Sequence, residues 1–440
     1  MRSERHQKNK KVILVFLHKH RVNDLEGWLE SIASAVELNV LLLVSNETVK
    51  LTSALLNTRH SFDVINIDNN QPSFLDSQEP NSSITLLFKE FRNAYCAYKS
   101  RYQTALNIFK QNQEGVLVTY DDRMTSLLPI LKAGFKTGIP IFLPAILTMN
   151  PNTSEETSNT LRPIRKIEAL VVKCVKLFFP THVNSSGRLF YDAVTYLTLL
   201  WFCSLPKHPW AKGSLKYTNR VGVESQLAYD QLCAAGVDAS KLVLTGLPIY
   251  DLMDFSKSND SEQYEVLVCA LPQYGEHGAM EVEEALLVIE GILNAFTAFK
   301  GKVVISLHPR MDRSVYQPLI DQFGYYCAEE GVEYWIKRAN IFFSAASSTT
   351  VYWSLMMGVP TVLFNHIPPS SDLFSVFKSI RYINHSVEDE VAKICQQPHA
   401  GLNHLLAADQ EALSISLVTD GNVGARNARV IDELFIEKFH

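Results

Sequence analysis

Residues 341–365 read IFFSAASSTTVYWSLMMGVPTVLFN. A short apolar run ends at 345, a row of hydroxyls follows, a stretch of helical spacing occupies 349–357, and a second apolar run closes the segment. Short apolar runs bounded by turn residues are buried strands, so the order is strand, turn, helix, strand. Gly358 is placed to end the helix and Pro360 to open the next strand. Such a unit sets its two strands parallel with the helix on one face of the sheet.

The same period recurs in both directions. Upstream lie strands YEVLVCALP (264–272) and KVVISLHP (302–309), helices at 281–299 and 314–323, and a short segment near 332–338. Polar residues 255–263 read as a linker. Before them, strands are predicted for KKVILVFLH, 40–45, 62–68, 115–120, 219–225 and 241–248. Helices are predicted over 25–35, 88–109, 125–135, 163–178 and 226–235, the last stopped by Gly236. Residues 150–159, NPNTSEETSN, read as a surface loop, and 403–415 and 422–438 as terminal helices. The fold class is α/β with two Rossmann-like halves. The expected domains are 1–255, 256–402, and terminal helices in 403–440 that pack back on the first half.

Composition is that of an ordinary globular chain: 440 residues, 47% apolar, 20% charged, formal net charge −5. That charge disfavours a general nucleic-acid binder. Seven dispersed cysteines without a CxxC pair suit a reducing compartment and offer neither a disulfide framework nor a structural zinc site. The basic N-terminus followed by VILVFL is too short in its apolar part for a secretion signal. No apolar stretch reaches the length of a membrane span. The nearest, AVTYLTLLWFCSL (193–205), has basic flanks and suits either a buried helix or a membrane-surface contact somewhere in 170–212.

In an open parallel sheet, ligands bind beyond the carboxyl ends of the strands. The row Ser347-Ser348-Thr349-Thr350 falls there. It could seat a phosphate with hydroxyls and free backbone N–H groups, or cap the helix. A cap needs only one hydroxyl. His308, Pro309 and Arg310 end another strand, where His308 could donate to a phosphate and Arg310 add charge. ALPQYGEHG (270–278) holds Gln273, a candidate nucleotide contact, and Glu276 with His277, an acid/base pair or a capping turn. In the first half, Asp121 and Asp122 end the strand GVLVTY and suit a catalytic base or an N-cap. Asp251 in GLPIYD is a candidate nucleophile or a turn residue.

The pairing of strand–His-Pro with strand–Ser/Thr row–helix–Gly-x-Pro–strand, about 40 residues on, resembles the donor half of GT-B glycosyltransferases. It looks most like the CMP-sugar transferases of the sialic acid and Kdo type, and CDP-glycerol-type polymer transferases share a similar pair. GVESQLAYDQLCAAGVDASKLVLTGLPIYD (222–251) is also similar to UDP-N-acetylglucosamine 2-epimerases. The resemblance implies a GT-B fold, two Rossmann-like domains with parallel sheets facing a central cleft. His308, Pro309, Ser347, Ser348 and Thr349 would hold nucleotide phosphate and ribose. Asp121 or Asp122 would stand where such enzymes keep a carboxylate, although here the triplet ends in Arg123. The implied activity is transfer of a sugar, CMP-linked, to a polysaccharide or lipid-linked acceptor in capsule or lipopolysaccharide synthesis. It would be cytoplasmic, at the inner membrane face, without cofactor or metal. The alternatives are a sugar-nucleotide 2-epimerase, a CDP-glycerol-type transferase, and a non-catalytic nucleotide-sugar-binding protein.

Overall fold

A computed structural model describes residues 11–18, 22–33, 35–52, 60–68, 83–146, 166–183, 189–253, 255, 265–275, 280–308, 311–346, 348–366, 374–396 and 403–439. They form two compact units. The first takes the chain up to Met253 and again from Leu417; the second covers the described residues from 255 to 416. The expected loop at 150–159 and most of the expected linker lie outside the described residues.

The first unit is built on seven strands: β1 (Lys11–Phe16), β2 (Asn39–Val44), β3 (Ser61–Asn66), β4 (Gly115–Val118), β5 (Ile141–Leu143), β6 (Arg220–Val223) and β7 (Leu242–Leu244). All pair in parallel, in the order β3-β2-β1-β4-β5-β6-β7. In β1 every residue after Lys11 is buried, because helices cover both faces of a central parallel strand. Val12 pairs with Val40 of β2 on one side and with Val116 of β4 on the other. The edge strand β3, SFDVIN, leaves its side chains at least partly open to solvent. Trp28, Phe109 and Phe142, all fully buried, fill the core of this unit.

The second unit repeats the plan with six parallel strands: β8 (Val266–Ala270), β9 (Lys302–Ser306), β10 (Tyr326–Cys327), β11 (Ile341–Ala345), β12 (Thr361–Phe364) and β13 (Arg381–Ile383). Their order is β10-β9-β8-β11-β12-β13, that of the classical doubly wound nucleotide-binding sheet. Phe296 and Phe343 pack edge to face, 5.0 Å between ring centres, in its core. Gly358 ends the helix Thr350–Met356 as expected: its φ of 68° is left-handed, and the Val359 N–H bonds back to Ser354.

Three strands, β5, β10 and β13, and the helix Val387–Gln396 go beyond the elements expected from sequence. The terminal helices also divide. Val423–Phe439 packs in the first unit on the helix Val22–Ala33, where Trp28 Nε1 donates to Asn427 Oδ1 at 3.2 Å. Asn403–Ser416, grouped with it by sequence, packs instead in the second unit. There Gln410 donates to the Met356 carbonyl, an orphan acceptor at the end of the helix Thr350–Met356. The seven cysteines are free thiols. Among the described residues, no helix is long and apolar enough to cross a membrane.

Candidate functional site

Each sheet has one place where the strand order reverses: between β1 and β4 in the first unit, and between β8 and β11 in the second. Chains leaving adjacent strands there turn to opposite faces and open a crevice at the carboxyl edge.

In the second unit, β8 runs into Leu271, Pro272, half-buried Gln273 and buried Tyr274. β11 runs into Ala346, then half-buried Ser348 and Thr349 at the entry of the helix Thr350–Met356. Gln273, Ser348 and Thr349 therefore flank one reversal point. Thr349 occupies the N-cap position, but its side chain makes no cap bond. Ser348 Oγ instead lies 2.7 Å from Thr350 Oγ1. The described hydroxyls, Ser348 and Thr349, thus do not serve as an ordinary cap. His308 follows β9, the neighbour of β8, by two residues and is exposed; its carbonyl accepts the Met311 N–H at 2.8 Å. Ser347, Pro309, Arg310, Glu276 and His277 lie outside the described residues.

Two groups not singled out from sequence join this edge. His366 follows β12, and its ring stands edge to face on Tyr274, 5.9 Å between centres. The pair bridges from the end of β8 to the end of β12, across the end of the intervening β11. Tyr274 is 9% exposed, yet among the described residues its hydroxyl has no hydrogen-bond partner, and neither do the two ring nitrogens of half-buried His366. Burial pushes the Tyr274 hydroxyl well above its ordinary pKa and holds His366 below its own. At neutral pH the tyrosine is a donor, and the uncharged imidazole both donates and accepts. Buried polar atoms without partners are rare in folded proteins, and these three are available to a polar ligand group.

In the first unit the reversal point brings together His18 after β1 and Thr119–Arg123 after β4. Both carboxylates are engaged. Asp122 is fully buried; its oxygens accept from the Gly213 N–H at 2.9 Å, the Leu215 N–H at 3.1 Å and Thr218 Oγ1 at 3.0 Å. Asp121 accepts from Arg123 Nη2 at 2.7 Å and the Arg123 backbone N–H at 2.6 Å. Burial and the neighbouring Asp121 charge raise the Asp122 carboxyl. For Asp121 burial also raises, but the Arg123 charge and hydrogen bonds outweigh it and hold the carboxyl below its ordinary value. Lys212 is buried beside them and donates to the Pro144 carbonyl at 2.8 Å. Burial, only partly offset by the two aspartates, brings its ammonium down to about 8.

His18 escaped the sequence reading although it ends the first strand. Its Nδ1 bonds the Tyr120 hydroxyl, and its Nε2 lies 3.3 Å from Ser126 Oγ. Asp251 lies in the helix Pro248–Leu252 of the first unit, which follows the edge strand β7 rather than β1 or β4. Its Oδ2 accepts the Val423 N–H at 2.8 Å and the Gly424 N–H at 3.4 Å, which caps the last helix. Among the described residues no group of three or more His, Cys, Asp or Glu could hold a metal.

No protein-family model matches the chain. No curated protein matches it either. Solved structures do match along the whole length. One is the calicheamicin glycosyltransferase CalG4, with a TM-score of 0.55, 13% identity, 98% of this chain and 99% of that one covered. Another is the glycotransferase of kitacinnamycin, at 0.54, 13%, 97% and 99%. A third is the UDP-GlcNAc 2-epimerase of Neisseria meningitidis bound to UDP-GlcNAc, at 0.50, 11%, 97% and 100%. At these identities the likeness is one of fold. The two doubly wound units are of the GT-B class, to which glycosyltransferases and 2-epimerases both conform.

Proposed function

We propose that the protein is a glycosyltransferase that moves a sugar from a nucleotide donor, CMP-linked, to a glycan or lipid-linked acceptor in surface-glycan synthesis. The observation that carries this reading is the reversal point of the second sheet. Hydroxyls that do not cap a helix, a side-chain amide, and the unpartnered Tyr274 and His366 border one crevice edge of a Rossmann-order sheet. Hydroxyl donors and backbone N–H groups suit the phosphates. The neutral Tyr274–His366 pair suits uncharged hydrogen-bonding groups of a nucleoside or sugar. His308 would stabilise the charge that develops on the departing phosphate.

On the acceptor side, Asp121 and Asp122 have their oxygens occupied, so His18 is the better base. It stands at the reversal point of its own sheet, its Nδ1 held by Tyr120, while the Nε2 contact to Ser126 Oγ is a long 3.3 Å and is the one an acceptor hydroxyl would replace. A histidine so oriented can take a proton from an attacking hydroxyl.

A thermal-shift panel of CMP, CDP, UDP, UMP and GDP, each with and without EDTA, tests the donor. A ligand that binds only the folded state raises the melting temperature. A shift with CMP or CDP that survives EDTA is expected. A shift with UDP alone would favour a second reading, a UDP-sugar 2-epimerase, which the likeness to the UDP-GlcNAc-bound enzyme supports. No shift with any nucleotide would overturn both.

A further inference from the structure

The first unit carries an outer surface that its core does not need. Among the described residues, the six most exposed large apolar side chains range from 61 to 74% exposure, and five of them belong to three helices of this unit. They are Phe88 in Ser83–Gln111, Leu170, Leu177 and Phe178 in Lys166–Phe178, and Trp201 in Ala193–Trp201. The helix Lys166–Phe178 exposes Leu170, Lys173, Cys174 and Leu177, an i, i+3, i+4, i+7 stripe that is the outward face of the helix. Its inward Val175 is buried. The exits of two of these helices are tied together, since Thr181 Oγ1 donates to the Lys207 carbonyl at 2.8 Å. Leu177 and Phe178 precede that bond on one side, and Trp201 on the other. Trp201 rests on an aromatic base: Tyr95 stands edge-on at 6.1 Å and Phe91 at 6.5 Å, one turn from Phe88.

The charge around this surface identifies its occupant. Among the described side chains of 170–207 three lysines stand against one acidic residue, Asp192, in a chain whose formal net charge is −5. Lys173 and Lys176 sit on the same helix as Leu177 and Phe178, and all four are exposed, as is Lys207. The core of a protein–protein interface is depleted in lysine. A lipid interface favours the mixture: the apolar side chains enter the boundary between headgroups and acyl chains, and lysine heads reach the phosphates. Tryptophan settles at that depth.

We propose that the first unit docks on an anionic lipid bilayer through this face, with Leu177, Phe178 and Trp201 inserted and Lys173, Lys176 and Lys207 on the headgroups. The inference stands whether or not the proposed donor is correct. The full chain would be sedimented with vesicles of pure phosphatidylcholine and with vesicles containing about one-third phosphatidylglycerol. Binding to the second alone, weakened by salt, is expected. Lys173→Gln and Lys176→Gln should each weaken it about fivefold. Leu177→Asp with Phe178→Asp should abolish it at an unchanged melting temperature, since both side chains are exposed. The tryptophan emission should shift to the blue on binding, and Trp201→Phe should remove the shift while the protein still sediments. Equal binding to both vesicles, no binding to either, or binding indifferent to the Leu177→Asp, Phe178→Asp change would overturn the proposal. So would a self-associated protein that this double change dissociates without any vesicle binding.

Discussion

Asp122 has a donor on each of its oxygens and no free face toward an acceptor hydroxyl. Its three donors make it a clamp on the 213–218 loop. Asp122→Asn leaves only one accepting oxygen and should cost about 3 kcal/mol of stability, read as a fall in the urea midpoint. His18→Ala should instead leave the melt unchanged and cut sugar transfer by roughly tenfold or more; an active variant would end the proposed role. Lys212 gives a pH signature. The unfolded chain keeps that proton to about pH 10, whereas the folded chain releases it near 8. Between those values the unfolded state binds more protons, so stability should rise with pH relative to Lys212→Met, by about 2 kcal/mol from pH 8 to 10. Equal slopes in urea titrations would show that the lysine keeps its proton inside the fold as long as the unfolded chain does. The aspartate pair was visible in the sequence as chemistry, but its partners Gly213, Leu215 and Thr218 lie about 90 residues further on. No local pattern could report that both carboxylates were spoken for. His18 and His366 carried a readable signal, a histidine just past an apolar strand, and were passed over.

At the scale of elements, sequence reading succeeded where period and punctuation agreed. β1, β11 and β12 are apolar runs closed by turn residues, and the stops at Gly236 and Gly358 both fall at left-handed φ. It missed β5 because three residues between Pro140 and Pro144 are too short for a period. It missed β10, of two residues, for the same reason. Such strands exist only because the neighbouring strand offers a ladder. Gly236→Ala would combine a φ of 88° with a methyl placed 2.9 Å from the His208 ring. A loss of about 1–2 kcal/mol is expected, measurable as a lower melting temperature. Asp251 is a test of cap against nucleophile. Its Oδ2 alone serves Val423 and Gly424, so Asp251→Asn can still accept with its amide oxygen and should keep both stability and turnover. Asp251→Ala should lose about 1–2 kcal/mol. Loss of turnover in a stable Asp251→Asn protein would restore the nucleophile.

At the scale of the whole molecule, the sequence revealed two doubly wound halves because each strand–helix period announces itself locally. The path of the chain between them was less legible, since it depends on which surface a terminal helix finds. The first unit is discontinuous: the chain leaves it at Met253 and returns at Leu417. Deleting 417–440 removes Val430, Ile431 and Leu434 from the first core, each 2% exposed or less. At about 1.5–3 kcal/mol for each side chain, the first unit should lose its cooperative melt while the second keeps its own. A single unchanged transition would refute the division. The helix Val423–Phe439 is made only after all of the second unit. The first unit to be translated is therefore the second to be finished. While residues 255–416 emerge and fold, Trp28 waits for Asn427, and the earlier half persists as an incomplete domain that chaperones can hold. A nonsense codon between residues 417 and 423 would thus unfold residues encoded far upstream of it.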